Sequence, residues 1–136
     1  MCPEQLARLY TAADLLVTCT THHDENFGYA QVEAMACGTP VVGSRWGGLK
    51  DTIIDGVTGF GFNALFTANG IRVDWRKGAY LVLELLQDHK LLGELSQTAK
   101  QWFHLNCTLS CYAEHLHRLV CDMVNSKKMR VSLNAR

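Results

Sequence analysis

Glu25 and Glu33 stand eight residues apart in "ENFGYAQVE", on either side of an aromatic-glycine-aromatic step. An ionised carboxylate only accepts hydrogen bonds, so a pair of them suits a ligand rich in hydroxyl groups. A helix returns to one face after seven residues, and eight would turn the two acids apart by about 80°. The spacing therefore predicts Glu25 in a loop and Glu33 about two turns into the helix that follows. Both then flank a helix N-terminus, where unpaired N–H groups and the dipole attract anions. Acceptors for hydroxyls beside donors for phosphate suit a sugar attached to phosphates, with a hexose at Glu25 and a ribose at Glu33.

Taken singly, the residues have plainer uses. Gly28 fits a tight turn, Phe27 and Tyr29 fit a core, and Glu33 fits a solvated helix face. Acid, glycine turn, helix start and second acid in one stretch favour a binding edge. A glycosidase would set its two carboxyl groups about 5–9.5 Å apart across one bond, which an acid some turns along a helix does not match. No G-x-G-x-x-G, P-loop or G-x-S-x-G motif occurs.

The elements around the acids follow from periodicity. "PEQLARLYTAAD" spaces Leu6, Leu9 and Tyr10 for a helix that opens on Pro3. "DLLVTCT" and "PVVGS" are apolar runs without alternation, as in strands covered on both faces, and "FGFN" reads as a third. "FGYAQVEAMAC" is a helix stopped by Gly38 and Pro40, and "RWGGLKDTII" is a glycine turn into a short helix. "DWRKGAYLVLELLQD", "KLLGELSQTAKQWFHL" and "TLSCYAEHLHRLVCDMV" are helical, the last capped by Thr108 or Ser110. The expected fold class is α/β, a partial doubly wound parallel sheet of about three strands with a helical C-terminal end. One domain is expected over residues 1–125, with 126–136 a basic, frayed tail. Such sheets bind ligands beyond the carboxyl ends of their strands, where the "THHDENFG" and "RWGG" loops lie.

The 136 residues carry no net formal charge, which offers nothing to nucleic acid or an anionic surface. No run reaches the roughly eighteen apolar residues of a membrane span, and the start lacks a signal peptide's pattern, so a cytoplasmic location is the default. The six cysteines form no CxxC pair and read as reduced thiols. His104, Cys107, Cys111 and His115 recur at helical spacing, but the outer two would lie about 16 Å apart on a continuous helix, too far for one zinc ion. No metal or other cofactor is expected.

The segment "DENFGYAQVEAMACGTPVVGSRWGGLKDTIIDGVTGFGF" resembles the donor site of GT-B-fold, retaining glycosyltransferases, family 4 (group 1) above all. The likeness rests on Glu25 and Glu33, then Ala34 to Val42, Gly47-Gly48, Asp51 and Asp55 to Phe60. "GGLKDTI" is similar to the glycogen and starch synthases. It implies transfer of a sugar from a nucleotide-diphosphate sugar to an acceptor with retention. Glu25 then lies against the donor sugar and supports the charge at its reacting carbon. Gly28, Tyr29 and Ala30, with Phe27 beside them, bind the distal phosphate at the helix start, and Glu33 takes the ribose hydroxyls. The resemblance also implies that the chain begins partway through the second domain. The acceptor domain and the family's diphosphate-binding Arg and Lys are then absent, with Arg45 and Lys50 as possible substitutes. The implied partners are a nucleotide sugar and a polypeptide supplying the missing N-terminal part. The alternatives are a non-catalytic module that binds a nucleotide sugar or a partner, and an inactive remnant.

Overall fold

The computed structural model describes residues 2–134, with side chains as far as 125. The chain divides between His104 and Leu105 into two compact units. In the first, α1 (Pro3–Ala12), β1 (Leu16–Thr18), α2 (Tyr29–Ala36), β2 (Val41–Arg45), α3 (Leu49–Thr52), β3 (Gly59–Thr67), β4 (Gly70–Val73) and α4 (Trp75–Gln87) follow in order. The helix α5 (His89–Asn106) comes next, and α6 (Leu109–Asn134) makes up most of the second unit. The expectation of a frayed tail at 126–136 falls on side chains outside those described.

The sheet order is β1-β2-β3-β4. β1 pairs parallel with β2, Leu16 opposite Val41, and β2 pairs parallel with β3, Val41 opposite Gly59. The third strand is longer than "FGFN". Past Asn63 it has run out of β2 partners and folds back instead on β4, antiparallel, from Ala64 opposite Val73 to Thr67 opposite Gly70. A fourth strand therefore joins the three that the apolar runs predict.

Successive strand residues face opposite sides of a sheet. Val41 and Val42 are both fully buried, Val41 with Met35, Leu49, Ile53 and Ala99, and Val42 with Phe62, Leu81, Leu85 and Leu95. The two clusters account for the unalternated "PVV" run: α2, α3 and α5 supply one and α4 with α5 the other. Polar bonds fix α5, through Ser96 Oγ to the Gly38 carbonyl (2.6 Å) and Thr98 Oγ1 to the Val57 carbonyl (2.6 Å). Gly38 takes the left-handed conformation expected of it, φ +83°. Helix α1 starts at Pro3 as its periodicity predicts; Leu6 and Tyr10 are half-buried, while Leu9 is exposed and none of its residues is fully buried. Among the described residues no helix is long and apolar enough to cross a membrane.

Candidate functional site

The segments after β1 and β2 lie side by side at the carboxyl edge of the parallel strands, and the backbone interlocks them. Ser44 Oγ donates to the Thr20 carbonyl at 2.7 Å. The Gly48 N–H donates to the Glu25 carbonyl at 3.2 Å. A Cβ on Gly47 would come within 2.2 Å of that carbonyl oxygen, and one on Gly48 within 1.8 Å of the Asn26 oxygen. The glycine pair is thus required by the approach of the Glu25–Asn26 backbone, a more specific reason than a turn.

Glu25 is half-buried, and its Oε1 accepts the Gly28 N–H at 2.9 Å. Gly28 is the N-cap of α2 with φ +80°, a conformation that favours glycine, and a Cβ there would also meet Leu49 Cδ2 at 2.6 Å. This left-handed step delays the helix to Tyr29. Glu33 is consequently its fifth residue, a little over one turn in, and not the two turns expected. The Gln31 and Val32 N–H groups donate to the Gly28 carbonyl. Among the described residues nothing accepts from the N–H groups of Tyr29 and Ala30, which leaves two donors at the positive end of the helix dipole.

The candidate residues therefore gather around one helix start. Phe27 and Tyr29 are exposed, their rings 5.3 Å apart, so neither serves the core. Ala30 and Glu33 are exposed as well. Glu33 has a neighbour the spacing did not disclose: the Tyr10 hydroxyl, in α1, donates to Glu33 Oε2 at 3.5 Å. Burial raises the Tyr10 phenol pKa above its ordinary value, and the Glu33 charge and hydrogen bond add to the rise.

Of the two cations considered for phosphate, Arg45 is already engaged, its Nη2 lying 2.7 Å from Asp55 Oδ2. Asp55 Oδ1 also accepts the Gly61 N–H at 2.8 Å, so the "DGVTG" turn holds Arg45 in place. Lys50 is exposed on α3. His22, His23 and Asp24 offer ligand atoms within 4.8 Å of one another, a grouping absent from the sequence reading. All three are exposed, and His22 Nδ1 already accepts the Asp24 N–H at 3.3 Å. On α6, Cys111 Sγ and His115 Nδ1 are 3.8 Å apart, one turn from each other.

Residues 1–102 match the family model of the glycosyl transferases group 1. The chain belongs to that family. One relative, the D-inositol 3-phosphate glycosyltransferase of Arthrobacter sp. (strain FB24), is 33% identical over 131 residues, covering 93% of this chain and 28% of its own. The enzyme of that name from Segniliparus rotundus is 49% identical over 57 residues, 42% of this chain and 12% of its own. The chain thus spans less than a third of the length of these curated relatives.

Solved structures agree on the fold. Anabaena HepE in complex with UDP-glucose superposes with a TM-score of 0.68 at 22% identity, over 86% of this chain and 30% of that one. Sucrose-phosphate synthase from Thermosynechococcus elongatus gives 0.65 at 28% identity, over 90% and 28%. The α/β architecture is that of the GT-B glycosyltransferases, as the group 1 resemblance implied.

Proposed function

We propose that this chain forms the donor-binding edge of a retaining glycosyltransferase, which moves a sugar from a nucleotide-diphosphate sugar to an acceptor. The observation that carries the reading is the helix start itself: Glu25 bound to Gly28, and free N–H groups on Tyr29 and Ala30. Those N–H groups and the dipole of α2 take the distal phosphate and stabilise the charge that grows on it as the glycosyl bond breaks. The Glu25 carboxylate faces the sugar and supports the positive charge at its reacting carbon. Glu33 accepts from the ribose hydroxyls. The neighbour solved in complex with UDP-glucose supports a nucleotide sugar as donor, and the relative's name supports glycosyl transfer. The acceptor side comes from polypeptide beyond these residues, in keeping with the share of its relatives that the chain spans.

Calorimetry of the chain with UDP, ADP, GDP and their glucose conjugates tests this. Glu33→Ala should weaken nucleotide and conjugate alike, by about ten- to a hundredfold, the value of a charge-assisted hydrogen bond. Glu25→Gln should leave free nucleotide binding nearly intact and remove the advantage of the conjugate. Equal loss of free nucleotide in both variants, each still folded, would end the division of roles. Failure of the parent chain to bind any of these ligands would remove the donor site.

A further inference from the structure

Trp46 connects three segments: the loop after β1, the glycine turn after β2 and the β3–β4 hairpin. Its Nε1–H donates to the His22 carbonyl at 2.9 Å. The same carbonyl accepts the Glu25 N–H at a longer 3.3 Å. On its other side the indole meets Phe66, ring centroids 5.2 Å apart and planes inclined at 58°, a tilted arrangement that aromatic pairs favour. Phe66 belongs to the β3–β4 hairpin, opposite Ile71, and is 81% exposed. Trp46 itself immediately precedes the glycine pair that presses on the Glu25–Asn26 backbone.

We infer that Trp46 is a positioning residue for Glu25, and that the hairpin, through Phe66, braces Trp46. Three bonds locate Glu25: its N–H to the His22 carbonyl, its carbonyl to the Gly48 N–H, and its Oε1 to the Gly28 N–H. Two run to partners that Trp46 controls, one through the shared His22 oxygen and one through the adjoining turn. Without the indole N–H, the His22 carbonyl keeps only the longer of its two bonds, and the chain from His22 to Glu25 gains freedom. Without Phe66, the indole loses its ring neighbour and the N–H is less well aimed. The carboxylate that faces the sugar is then set by an element some forty residues downstream. The consequence for binding rests on the donor-site reading; the placement of Glu25 does not.

Two variants separate the parts: Trp46→Phe keeps a ring against Phe66 and removes the N–H, whereas Phe66→Ala keeps the N–H and removes the brace. Amide hydrogen exchange reads the placement without ligand. Trp46→Phe should speed exchange at Glu25 and Gly28 by about tenfold, the worth of one hydrogen bond, with Val41 and Val42 unchanged. Phe66→Ala should act in the same direction and less strongly. In calorimetry, Trp46→Phe should weaken UDP-glucose about tenfold and leave UDP within about twofold, a split that general loosening of the fold would not give. Unchanged exchange at Glu25 and Gly28, or equal acceleration at all four amides, would overturn the inference. So would equal losses of UDP and UDP-glucose. Local acceleration in a chain that binds neither ligand would support the placement of Glu25 and refute the donor site.

Discussion

The Gly48 N–H donates to the Glu25 carbonyl at 3.2 Å, so the turn after β2 holds the loop after β1 by its backbone. This bond requires glycine, since a Cβ on Gly48 would lie 1.8 Å from the Asn26 oxygen and 2.7 Å from the Phe27 nitrogen. Neither atom belongs to a side chain that can rotate away. Gly48→Ala should cost about 1–3 kcal/mol or more, the range for forcing an extra methyl group into a packed site. At about 4–8 °C per kcal/mol for a domain of this size, a thermal melt resolves it. A melting temperature equal to the parent's would show that the two loops are not in contact.

Glu25 has a structural task besides the chemical one proposed for it, because its carboxylate accepts the Gly28 N–H at the start of α2. Glu25→Ala should lower stability by about 0.5–1.5 kcal/mol, the net worth of one intramolecular hydrogen bond. Glu25→Gln retains an acceptor oxygen and should stay near the parent. Denaturant melts of the pair isolate this bond, and equal stability of all three proteins would mean that it contributes nothing.

Tyr10 offers a test from the alkaline side. Burial raises its phenol pKa, and the Glu33 charge and hydrogen bond raise it further. The folded state therefore keeps a proton that the unfolded chain gives up. That contribution to stability is complete below the ordinary tyrosine pKa of about 10 and is lost as pH rises through the folded value. Glu33→Gln removes the charge, so the Tyr10 titration should move down toward pH 10 while burial keeps it above. Tyrosinate absorbance, with Tyr10→Phe subtracted, follows this group alone. A Tyr10 titration unmoved by Glu33→Gln would separate the two side chains.

The parallel core was legible because Val41 and Val42 are buried on opposite faces, and only a strand covered on both sides tolerates such a run. The hairpin was missed although Asn69-Gly70, a common turn step, follows alternating apolar positions. The apolar "FGFN" run marks where β3 meets β2 and not where it leaves. For α1, spacing shows that Leu6, Leu9 and Tyr10 share a side, but not that Leu9 stays exposed while Leu6 and Tyr10 are half-buried. In the site, residue type and spacing placed Glu25, Gly28 and Glu33 at one helix start. They could not place Tyr10 or Trp46, whose contacts with Glu33 and His22 span 23 and 24 residues and follow no local pattern.

The strands lie in space in the order in which they occur along the chain. Each therefore pairs with its nearest predecessor, across helical crossovers for the two parallel pairs and across a two-residue turn, cheap to close, for β3 and β4. In kinetic terms the sheet can zip from β1 to β4 without waiting for a distant segment. The aromatic brace on the binding edge belongs to the last step, because Phe66 reaches Trp46 only when β3 has paired and turned back on β4. An intermediate that stopped at three strands would have its parallel core and an unfinished edge. The edge proposed to hold the donor would then be complete only after the parallel core has formed, as a separate and later phase.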